Sequence, residues 1–529
     1  MLHRLGICAA ALVVGAATMV VELASVRALA PFFGASTEVW TYAIGVVLAA
    51  LASGYAAGGL AAEKPKFRRA LGIALCLAGV GVCVSPLLLP RLAGAFLPAD
   101  LSLADATLLL RAGALVSEAA LFGLPVFFLG FAGPLFVRWL SESGATAGRA
   151  SGLVLASSTV GGLFGTFGTT YVLIPEAGVR ATLWGSGLLL GVVGIISIGL
   201  DRQAVLSGAG IALTGITAGL GWGSLRTPWK ASSPGVEVLE EVASREQHLR
   251  VVRVGAGETW LQINESLDSF QSVDAPSRAT PGHYYDVLAA AALWSEKLGP
   301  RVAVIGAGAG SVVRSLDALV PGSRVEAFEL DPRITELGRR YFRLGELESK
   351  GARFFDGVDG RVALQLSTDP FDAILIDAYA RQTEIPFHLV TREMFELCAS
   401  RLNNGGILAI NVSSFGREDP VRRSIARTLA GAPSWASSGK PLSLHVRGEH
   451  NSVVVARKSA ALRTPADLLR TMRSSSKASL VQQLLQYIAS PSGHLWEIEG
   501  NGALTLTDDR APMELLQAAS LEFASAGAR

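Results

Sequence analysis

The sequence predicts an α-helical, multi-pass membrane domain followed by a soluble α/β domain built on a parallel sheet. The chain of 529 residues is 50% hydrophobic and only 17% charged, whereas soluble domains carry about 25% charged residues. The charges are unevenly placed, with 21 in residues 1–225 and 69 in residues 226–529. Beyond residue 300, apolar strands alternate with helices, which is typical of a parallel sheet covered on both faces. A fully soluble protein is therefore excluded.

Residues 1–225 contain apolar stretches that are long enough to cross a bilayer. These stretches are 5–30, 39–62, 69–90, 104–139, 148–174, 180–200 and 204–223. We predict a polytopic transmembrane domain of about seven or eight helices, the eighth arising if 104–139 folds as two short passes. Small residues are dense here, for example Gly54, Gly58 and Gly59, and small faces let helices in lipid approach closely.

The loop at residues 63–69 carries four positive charges, which places it in the cytoplasm by the positive-inside rule. We therefore predict a multi-pass protein of the cell (inner) membrane with a cytoplasmic amino terminus. Seven passes would put the soluble domain outside and eight would put it inside, and the sequence leaves this parity open. Ionisable residues inside membrane helices are costly. They indicate a cation site or a path for a charged solute, or else interhelical ion pairs or side chains that snorkel near a helix end. The residues concerned are Glu22, Arg27, Arg111 and Glu118.

The soluble part divides by composition into four segments. Residues 226–236 are rich in Pro, Ser and Gly and are predicted to be a linker. Residues 237–280 contain short alternating stretches that predict a small β domain. Residues 281–460 carry the strand–helix alternation of a Rossmann-like nucleoside-binding domain, and 461–529 are predicted to be a C-terminal helical extension.

The strongest site signal lies where the predicted parallel strands end. The strand at residues 302–305 runs into a glycine-rich turn, which allows a tight bend and a close approach of the backbone to a ligand. Its glycines are Gly306, Gly308 and Gly310. Acidic residues follow the next three strands, and they are Glu329, Asp359 and Asp377. Because the carboxyl ends of parallel strands share one edge of the sheet, these residues predict a nucleoside site, with Glu329 on the ribose hydroxyls.

The chain resembles a known protein family. Residues from about 237 to 456 resemble the spermidine synthases, which are polyamine aminopropyltransferases, and the whole chain resembles their membrane-fused subgroup. The motifs that carry this resemblance lie at residues 22–34, 377–391 and 507–514. The resemblance implies an AdoMet-methyltransferase-like domain behind a small β domain. It also implies transfer of an aminopropyl group from decarboxylated S-adenosylmethionine (AdoMet) to putrescine or a related amine.

The resemblance further implies roles for individual residues. Asp377 would position and activate the attacking amine, with Tyr284 and Asp286 lining the polyamine side. The glycine turn would surround the sulfonium, Glu329 would bind the ribose and Asp359 the adenine amino group. Two glutamines of the β domain would line the donor site, and they are Gln247 and Gln271. Aromatic side chains can shelter either cation of this reaction, and the candidates are Tyr284, Tyr285 and Tyr379.

Two positions depart from the family pattern and leave other functions open. Ala309 stands where the family has an aspartate that holds the aminopropyl ammonium, and Ala380 replaces a second acid. Losing the first acid also removes a charge that would repel the carboxylate of intact AdoMet. An AdoMet-dependent methyltransferase is one alternative. A non-catalytic polyamine- or nucleoside-sensing domain on a transporter-like membrane part is another.

The remaining expectations concern metals, partners and location. The four cysteines and seven histidines show no metal-ligand spacing, so we expect no metal. A net charge of +2 argues against nucleic acid as a partner. The expected partners are a small polyamine and the lipid bilayer, and a homo-oligomer is possible. A decarboxylated donor would favour a cytoplasmic soluble domain, although the number of spans leaves its side open.

Overall fold

The computed structural model of the chain divides into two compact units. One comprises Met1–Ala231 with Glu241–Leu249 and is here called the helical unit, and the other comprises Ser232–Glu240 with Arg250–Arg529 and is called the sheet unit. The structure describes residues 2–96, 103–200, 204–225, 227–230, 233–255, 257–264, 270–379, 384–416, 418–446, 449–462, 495–497 and 503–527.

Long apolar helices make up the helical unit, as predicted. They are α1 (Leu2–Phe33), α2 (Thr37–Ala62), α3 (Phe67–Phe96), α4 (Leu103–Glu118), α5 (Leu124–Glu142), α6 (Ala147–Gly168), α7 (Ile174–Leu200) and α8 (Ala204–Ser224). Within the described residues, five continuous helical runs are long and apolar enough to cross a membrane. One of them, Ala147–Gly199, contains a backbone break at Gly178, which separates the two predicted spans on either side.

The stretch predicted at 104–139 is one helical run. A π-helical turn, Ala119–Gly123, joins α4 to α5 without a break. The two-pass alternative for this stretch is therefore not what the structure shows. Because a π turn widens the helix by one residue, the run keeps its backbone hydrogen bonding while it changes the face it presents.

The ionisable residues of the helices have two kinds of surroundings. Arg111 makes an interhelical ion pair with Glu38 through two hydrogen bonds of 2.7 Å, which is the structural role considered from the sequence. Glu118 is fully buried, and one of its carboxylate oxygens accepts a hydrogen bond of 2.9 Å from Ser25. Arg27 donates to the backbone carbonyl of Glu246. The contact of Glu118 joins α4 to α1 at a buried position, and the ion pair of Arg111 joins α4 to α2 at a partly exposed one.

Glycines allow α2 and α5 to approach closely, as the small-residue pattern predicts. A Cβ atom on Gly54 would lie 2.2 Å from the carbonyl oxygen of Phe127, and one on Gly58 would lie 2.3 Å from that of Phe131. Such distances are far inside van der Waals contact, so these helices cannot pack this way with a side chain there. Gly59 differs, because a Cβ atom there would meet nothing within 4 Å.

This difference gives a matched test of helix packing. We expect Gly58→Ala to lower the melting temperature of the detergent-purified protein, because overpacking a close contact costs about 1–3 kcal/mol. Gly59→Ala, one residue away, should leave the melting temperature unchanged or raise it slightly, because alanine favours the helix. Equal melting temperatures for the two variants would contradict the α2–α5 contact.

Two sheets follow the helices. The strands are β1 (Val236–Ala243), β2 (His248–Val254), β3 (Glu258–Ile263), β4 (Ser272–Asp274), β5 (Arg301–Ile305), β6 (Arg324–Glu329), β7 (Arg353–Asp356), β8 (Phe371–Ile376), β9 (Leu402–Ser413), β10 (Leu442–His445), β11 (Asn451–Arg457) and β12 (Leu495–Glu497). The first four form a four-stranded sheet in chain order, which agrees with the predicted small β domain. The other eight form one sheet in the order β12-β10-β11-β9-β8-β5-β6-β7.

The larger sheet is parallel at its centre and antiparallel at one side. β5 lies between β6 and β8 and is parallel to both, while β11 pairs antiparallel with β9 and with β10. The predicted parallel sheet and its closing hairpin are thus confirmed, and the strand order is that of the methyltransferase-like fold. The chain leaves β5 first to one side and later to the other, so a crevice opens at the carboxyl end of β5, where such folds bind ligands.

Helices cover both faces of this sheet. They are α9 (His283–Ala290), α10 (Ser311–Leu319), α11 (Pro332–Tyr341), α12 (Leu344–Ser349), α13 (Gly360–Leu366), α14 (Arg392–Arg401), α15 (Pro420–Ala430) and α16 (Met513–Gly527). All residues of β8 are buried, and separate apolar clusters lie on the two sides of the sheet. Much of the predicted C-terminal extension, 463–494 and 498–502, lies outside the described residues. Its described part adds a strand, β12, as well as the helix α16.

Candidate active site

The glycine turn predicted after the first parallel strand bends sharply at the carboxyl end of β5. Gly306, Gly308 and Gly310 all have positive φ angles, of 80°, 53° and 98°, which residues with a side chain rarely adopt. A Cβ atom on Gly306 would lie 2.5 Å from the carbonyl oxygen of Asp377. The turn therefore needs glycine both for its dihedral angles and for its contact with the end of β8.

The small sheet holds this turn from the other side. The backbone N–H of Ala309 donates to the hydroxyl oxygen of Ser272 at 2.9 Å. The hydroxyl of Ser311 donates to the carbonyl of Val273 and accepts from its N–H, at 3.0 and 2.8 Å. These bonds fix the turn to β4, so the β domain forms part of the crevice. Sequence reasoning did not identify Ser272, because a lone serine in a short strand carries no pattern.

Gln271 lies next to this contact, directly before β4. Its backbone N–H donates to the carbonyl of Leu261 at 2.8 Å, and its own carbonyl oxygen would lie 3.6 Å from a Cβ atom on Gly308. Its side-chain Oε1 is buried and has no hydrogen-bond partner among the described residues. A buried acceptor without a donor is costly, and a ligand that brings a donor into the crevice would satisfy it.

Glu329 ends β6 and faces the glycine turn. Its two carboxylate oxygens accept backbone hydrogen bonds from Gly308 at 2.8 Å and from Asp331 at 3.1 Å. Burial raises the pKa of this carboxyl to about 7, although the two backbone N–H groups act against the shift. The side chain is therefore held in one orientation beside the turn, where it can accept hydrogen bonds from a vicinal diol.

Asp377 follows β8 directly and lies across the crevice. Its Oδ1 accepts a hydrogen bond of 2.8 Å from the side-chain amide of Asn411, and its Oδ2 lies 3.4 Å from the hydroxyl of Tyr284. Burial raises the pKa of Asp377 to about 8, and the negative charge of Glu329 contributes to the increase. A carboxyl that titrates near neutral pH in a cleft has the properties of a general base.

Asn411 is a site residue that sequence reasoning missed. It lies in β9, is almost fully buried, and accepts a hydrogen bond of 3.0 Å from the side chain of Asn451. Its backbone carbonyl accepts from the hydroxyl of Tyr379 at 3.0 Å. A polar residue inside an otherwise apolar central strand was the available signal, because a buried amide needs partners.

Tyrosines line the side of the crevice next to Asp377. Tyr284 and Tyr285 are buried, and burial raises the pKa of both well above the usual value for tyrosine, with the charge of Asp377 adding to the shift. Both phenols therefore stay neutral. A second missed residue, Glu449, accepts from the backbone N–H of Tyr284 at 3.0 Å and lies 2.8 Å from the Nδ1 atom of His283.

Asp359 lies at the start of α13 and is a helix cap. Its Oδ1 accepts from the backbone N–H groups of Arg361 and Val362, and its Oδ2 lies 2.9 Å from the Nε2 atom of His388. The hydrogen bond with His388 holds the pKa of Asp359 below its usual value. The predicted contact with adenine remains a prediction, and it would use the remaining lone pair of Oδ2.

Arg361 also joins this region to the C-terminal motif. Its guanidinium makes two hydrogen bonds, of 2.7 and 2.6 Å, with the carboxylate of Asp508, which in turn accepts from the hydroxyl of Thr391 at 2.7 Å. The sequence analysis placed Asp508 in a motif of the resembling family without assigning it a role. In the structure it fixes the start of α13 and so supports Asp359 indirectly.

Three further positions named from the sequence either make contacts of another kind or lie outside the described residues. Asp286 accepts hydrogen bonds of 2.7 Å from both Thr280 and Ser315, and these contacts favour a structural role in joining α9 to α10. Gln247 lies in the turn between β1 and β2, and its backbone N–H donates to the hydroxyl of Ser244. Their predicted site roles remain predictions. Ala380 lies outside the described residues.

Comparisons with known proteins agree with the resemblance. A probable polyamine aminopropyl transferase of Bifidobacterium longum (strain NCC 2705) is 26% identical over 259 residues, which cover 47% of this chain and 56% of that protein. A polyamine aminopropyltransferase of Vibrio vulnificus (strain CMCP6) is 33% identical over 132 residues, covering 24% of this chain and 43% of that protein. The chain thus spans about half the length of these curated relatives. No family model matches it.

Among solved structures, a probable spermidine synthase from Corynebacterium glutamicum ATCC 13032 is similar to the chain. Its sequence is 16% identical, with a TM-score of 0.39 that covers 52% of this chain and 98% of that one. The resemblance to the polyamine aminopropyltransferases, stated from the motifs, is confirmed by relatives that carry this name.

Because the pKa of Asp377 is raised in the folded protein, we expect its contribution to the free energy of unfolding to depend on pH. Between the unfolded pKa, about 4, and the folded pKa of about 8, the folded state holds a proton that the unfolded state has lost. The contribution of Asp377 to the free energy of unfolding therefore falls as pH rises through this window. Asp377→Asn cannot ionise, so its melting temperature relative to the parent should increase from pH 5 to pH 9.

The matched control is Asp317→Asn, which changes a carboxylate that is 39% exposed and paired with Lys350 on the surface. Thermal melts of the ligand-free protein in detergent at several pH values would make the comparison. A constant difference between Asp377→Asn and the parent across this range would show that the carboxyl is not perturbed.

Proposed function

We propose that the protein is an aminopropyltransferase that moves the aminopropyl group of decarboxylated AdoMet to putrescine or a related amine. The observation that supports this most is the position of Asp377. It is a carboxyl with a pKa near neutrality, held by Asn411 and Tyr284 across a crevice from a glycine turn and Glu329. The relatives named polyamine aminopropyltransferases support the same reaction.

The donor would lie along the carboxyl ends of β5 and β6. The glycine turn would let the backbone approach the nucleoside and its sulfonium closely. Glu329 would accept hydrogen bonds from the two ribose hydroxyls, and Asp359 would accept one from the adenine amino group. The unpartnered Oε1 of Gln271 would accept from a further donor of the ligand. These residues fit a cationic nucleoside that is rich in hydrogen-bond donors.

The reaction is a displacement at the carbon next to the sulfonium. The nitrogen of a neutral amine forms a bond to this carbon, the carbon–sulfur bond breaks, and the electron pair stays on sulfur as a neutral thioether. The nitrogen then carries the positive charge as a secondary ammonium. An alkyl amine has a pKa near 10, as lysine does, and is mostly protonated at pH 7. Asp377 would orient the ammonium, accept its proton and so supply the nucleophile.

The walls of the crevice suit the movement of charge in this step. Positive charge passes from sulfur to nitrogen, so the total charge does not change during the displacement. The buried ring of Tyr284 and the partly buried ring of Tyr379 can stabilise either cation through their faces. Glu329 and Asp377 supply the compensating negative charge, because the ionised form of each is favoured by a cation nearby.

A second candidate function rests on Ala309. This residue is buried in the glycine turn, where a carboxylate would hold the ammonium of a decarboxylated donor. Without it, the carboxylate of intact AdoMet meets no repulsion from the turn, and methyl transfer to an amine would use the same Asp377. Comparing the affinities for AdoMet and its decarboxylated form separates the two reactions.

The first test replaces the proposed base. We expect Asp377→Asn to lower turnover by about 10²- to 10⁴-fold, which is the usual contribution of a general base. The affinity for the donor should change much less, because asparagine keeps the shape and the hydrogen bond to Tyr284. Calorimetric titration of the purified full chain and mass analysis of its product with putrescine give the two quantities. Turnover equal to the parent would exclude the proposed role, and Asp317→Asn serves as the surface control.

A second test uses the pH profile of the reaction. The value of kcat/KM should rise with pH up to about 8, because the cationic substrates bind the ionised forms of Glu329 and Asp377. The amide of Asn411 favours the ionised form of Asp377. Asn411→Leu removes this donor, so the acidic limb of the profile should move to higher pH. An acidic limb that stays in place would show that this hydrogen bond does not control the base.

A further inference from the structure

A crevice opens at one end of the helical unit, away from its centre. It has a volume of about 400 Å³ and lies between α1, α5 and α7. Its walls are mainly apolar, formed by Ile7, Ala10 and Val13 of α1 and by Val193 and Ile196 of α7. The volume is within the range of about 300–1,000 Å³ typical of small-molecule sites. We call it the α1–α7 crevice.

Trp139 contributes an unsatisfied polar group to the crevice. It is only 3% exposed, and its indole Nε1 is buried without a hydrogen-bond partner among the described residues. Other tryptophans differ, since Trp184 donates to the carbonyl of Thr217 and Trp435 to that of Phe395. Water or headgroups satisfy a belt tryptophan at a membrane surface directly, whereas the Nε1 atom of Trp139 is covered in the ligand-free protein. An acceptor that enters the crevice would satisfy its N–H.

Positive charge lies beside the same tryptophan. The guanidinium of Arg68 is 5.5 Å from the centre of the Trp139 ring, and its Nε atom is also buried without a partner. Arg4 on α1 donates to the carbonyl of Ser143 at the end of α5. Glu142 pairs with both Arg68 and Arg138, at 2.9 and 3.1 Å. This end also carries the basic loop at residues 63–69, so cationic side chains outnumber carboxylates beside the crevice.

We propose that the α1–α7 crevice binds an anionic phospholipid. An acyl chain would lie along the apolar walls, and an oxygen of the phosphate or ester would accept from the indole N–H of Trp139, with Arg68 and Arg4 compensating the negative charge. Basic pockets between membrane helices are suited to anionic headgroups. The apolar walls select a lipid over a free anion. This site is independent of the proposed reaction.

The test uses the full chain in detergent, stripped of lipid, with dioleoyl phosphatidylglycerol as the probe. Native mass spectrometry and thermal melts would measure its binding, and phosphatidylcholine with the same chains would report the contribution of the headgroup charge. We expect saturable binding of phosphatidylglycerol and weaker binding of phosphatidylcholine. Trp139→Phe keeps the ring and removes the N–H, and it should weaken phosphatidylglycerol binding about tenfold, as loss of a hydrogen bond to a charged group does. Trp222→Phe, at a tryptophan that is 70% exposed, is the matched control.

A second variant guards against a folding defect at Trp139. Gly6 lines the crevice, and a Cβ atom there would meet nothing within 4 Å, so Gly6→Leu should fill the cavity without disturbing the helices. Gly45→Leu is its control on α2, where a Cβ atom also has open space. Binding that survives Gly6→Leu would overturn the proposal. So would equal binding of the two lipids, or an equal effect of inorganic phosphate alone.

Discussion

The close contact between the glycine turn after β5 and the end of β8 determines the geometry of the whole site. No side chain fits at Gly306, because a Cβ atom would lie 2.5 Å from the carbonyl oxygen of Asp377. The Asp377 N–H donates to the carbonyl of Ile305 at 2.8 Å, so two strands reach their ends in register. This register places the carboxylate of Asp377 across the crevice from Glu329. The separation of the two acids is therefore a property of the backbone.

The site keeps two partly or fully buried carboxyls that no described cation neutralises. Their pKa values are raised because the ionised form of each carboxyl is less stable in the ligand-free protein than in water. Backbone and amide N–H groups offset part of this cost at both positions. A cationic ligand would supply the remainder, because it favours the charged form of each. The ionised forms of Glu329 and Asp377 are unfavourable in the ligand-free protein. The two carboxylates are for this reason suited to bind a sulfonium and an ammonium.

The sequence predicted the architecture of the larger sheet because its signals are local. Continuous apolar strands, a proline after Asp331 and a glycine turn each act over a few residues. The contacts of Asn411 and Glu449 could not be predicted, because their partners are 34 and 165 residues away in the chain. Asp286 is a different case. Its motif position predicts a site role, which stays a prediction, and the structure adds hydrogen bonds from Thr280 and Ser315 that the sequence did not indicate. In the helical unit, hydropathy located the helices but not the π turn that makes residues 103–142 one run.

The carboxylates near the crevice limit which donor it can accept. Of the four acids near it, Glu449 already faces His283 and Asp359 already faces His388. Of these four, only Glu329 and Asp377 have no basic partner among the described residues. Ala309 contributes no further carboxylate. A donor that carries both a sulfonium and an ammonium, together with an ammonium on the acceptor, brings more positive charge than these two carboxylates can balance. Either the amine must lose its proton before it binds fully, or a neutral acceptor such as the Oε1 of Gln271 must hold one ammonium. Because the buried Oε1 of Gln271 lacks a partner among the described residues, we propose that it holds the aminopropyl end of the donor.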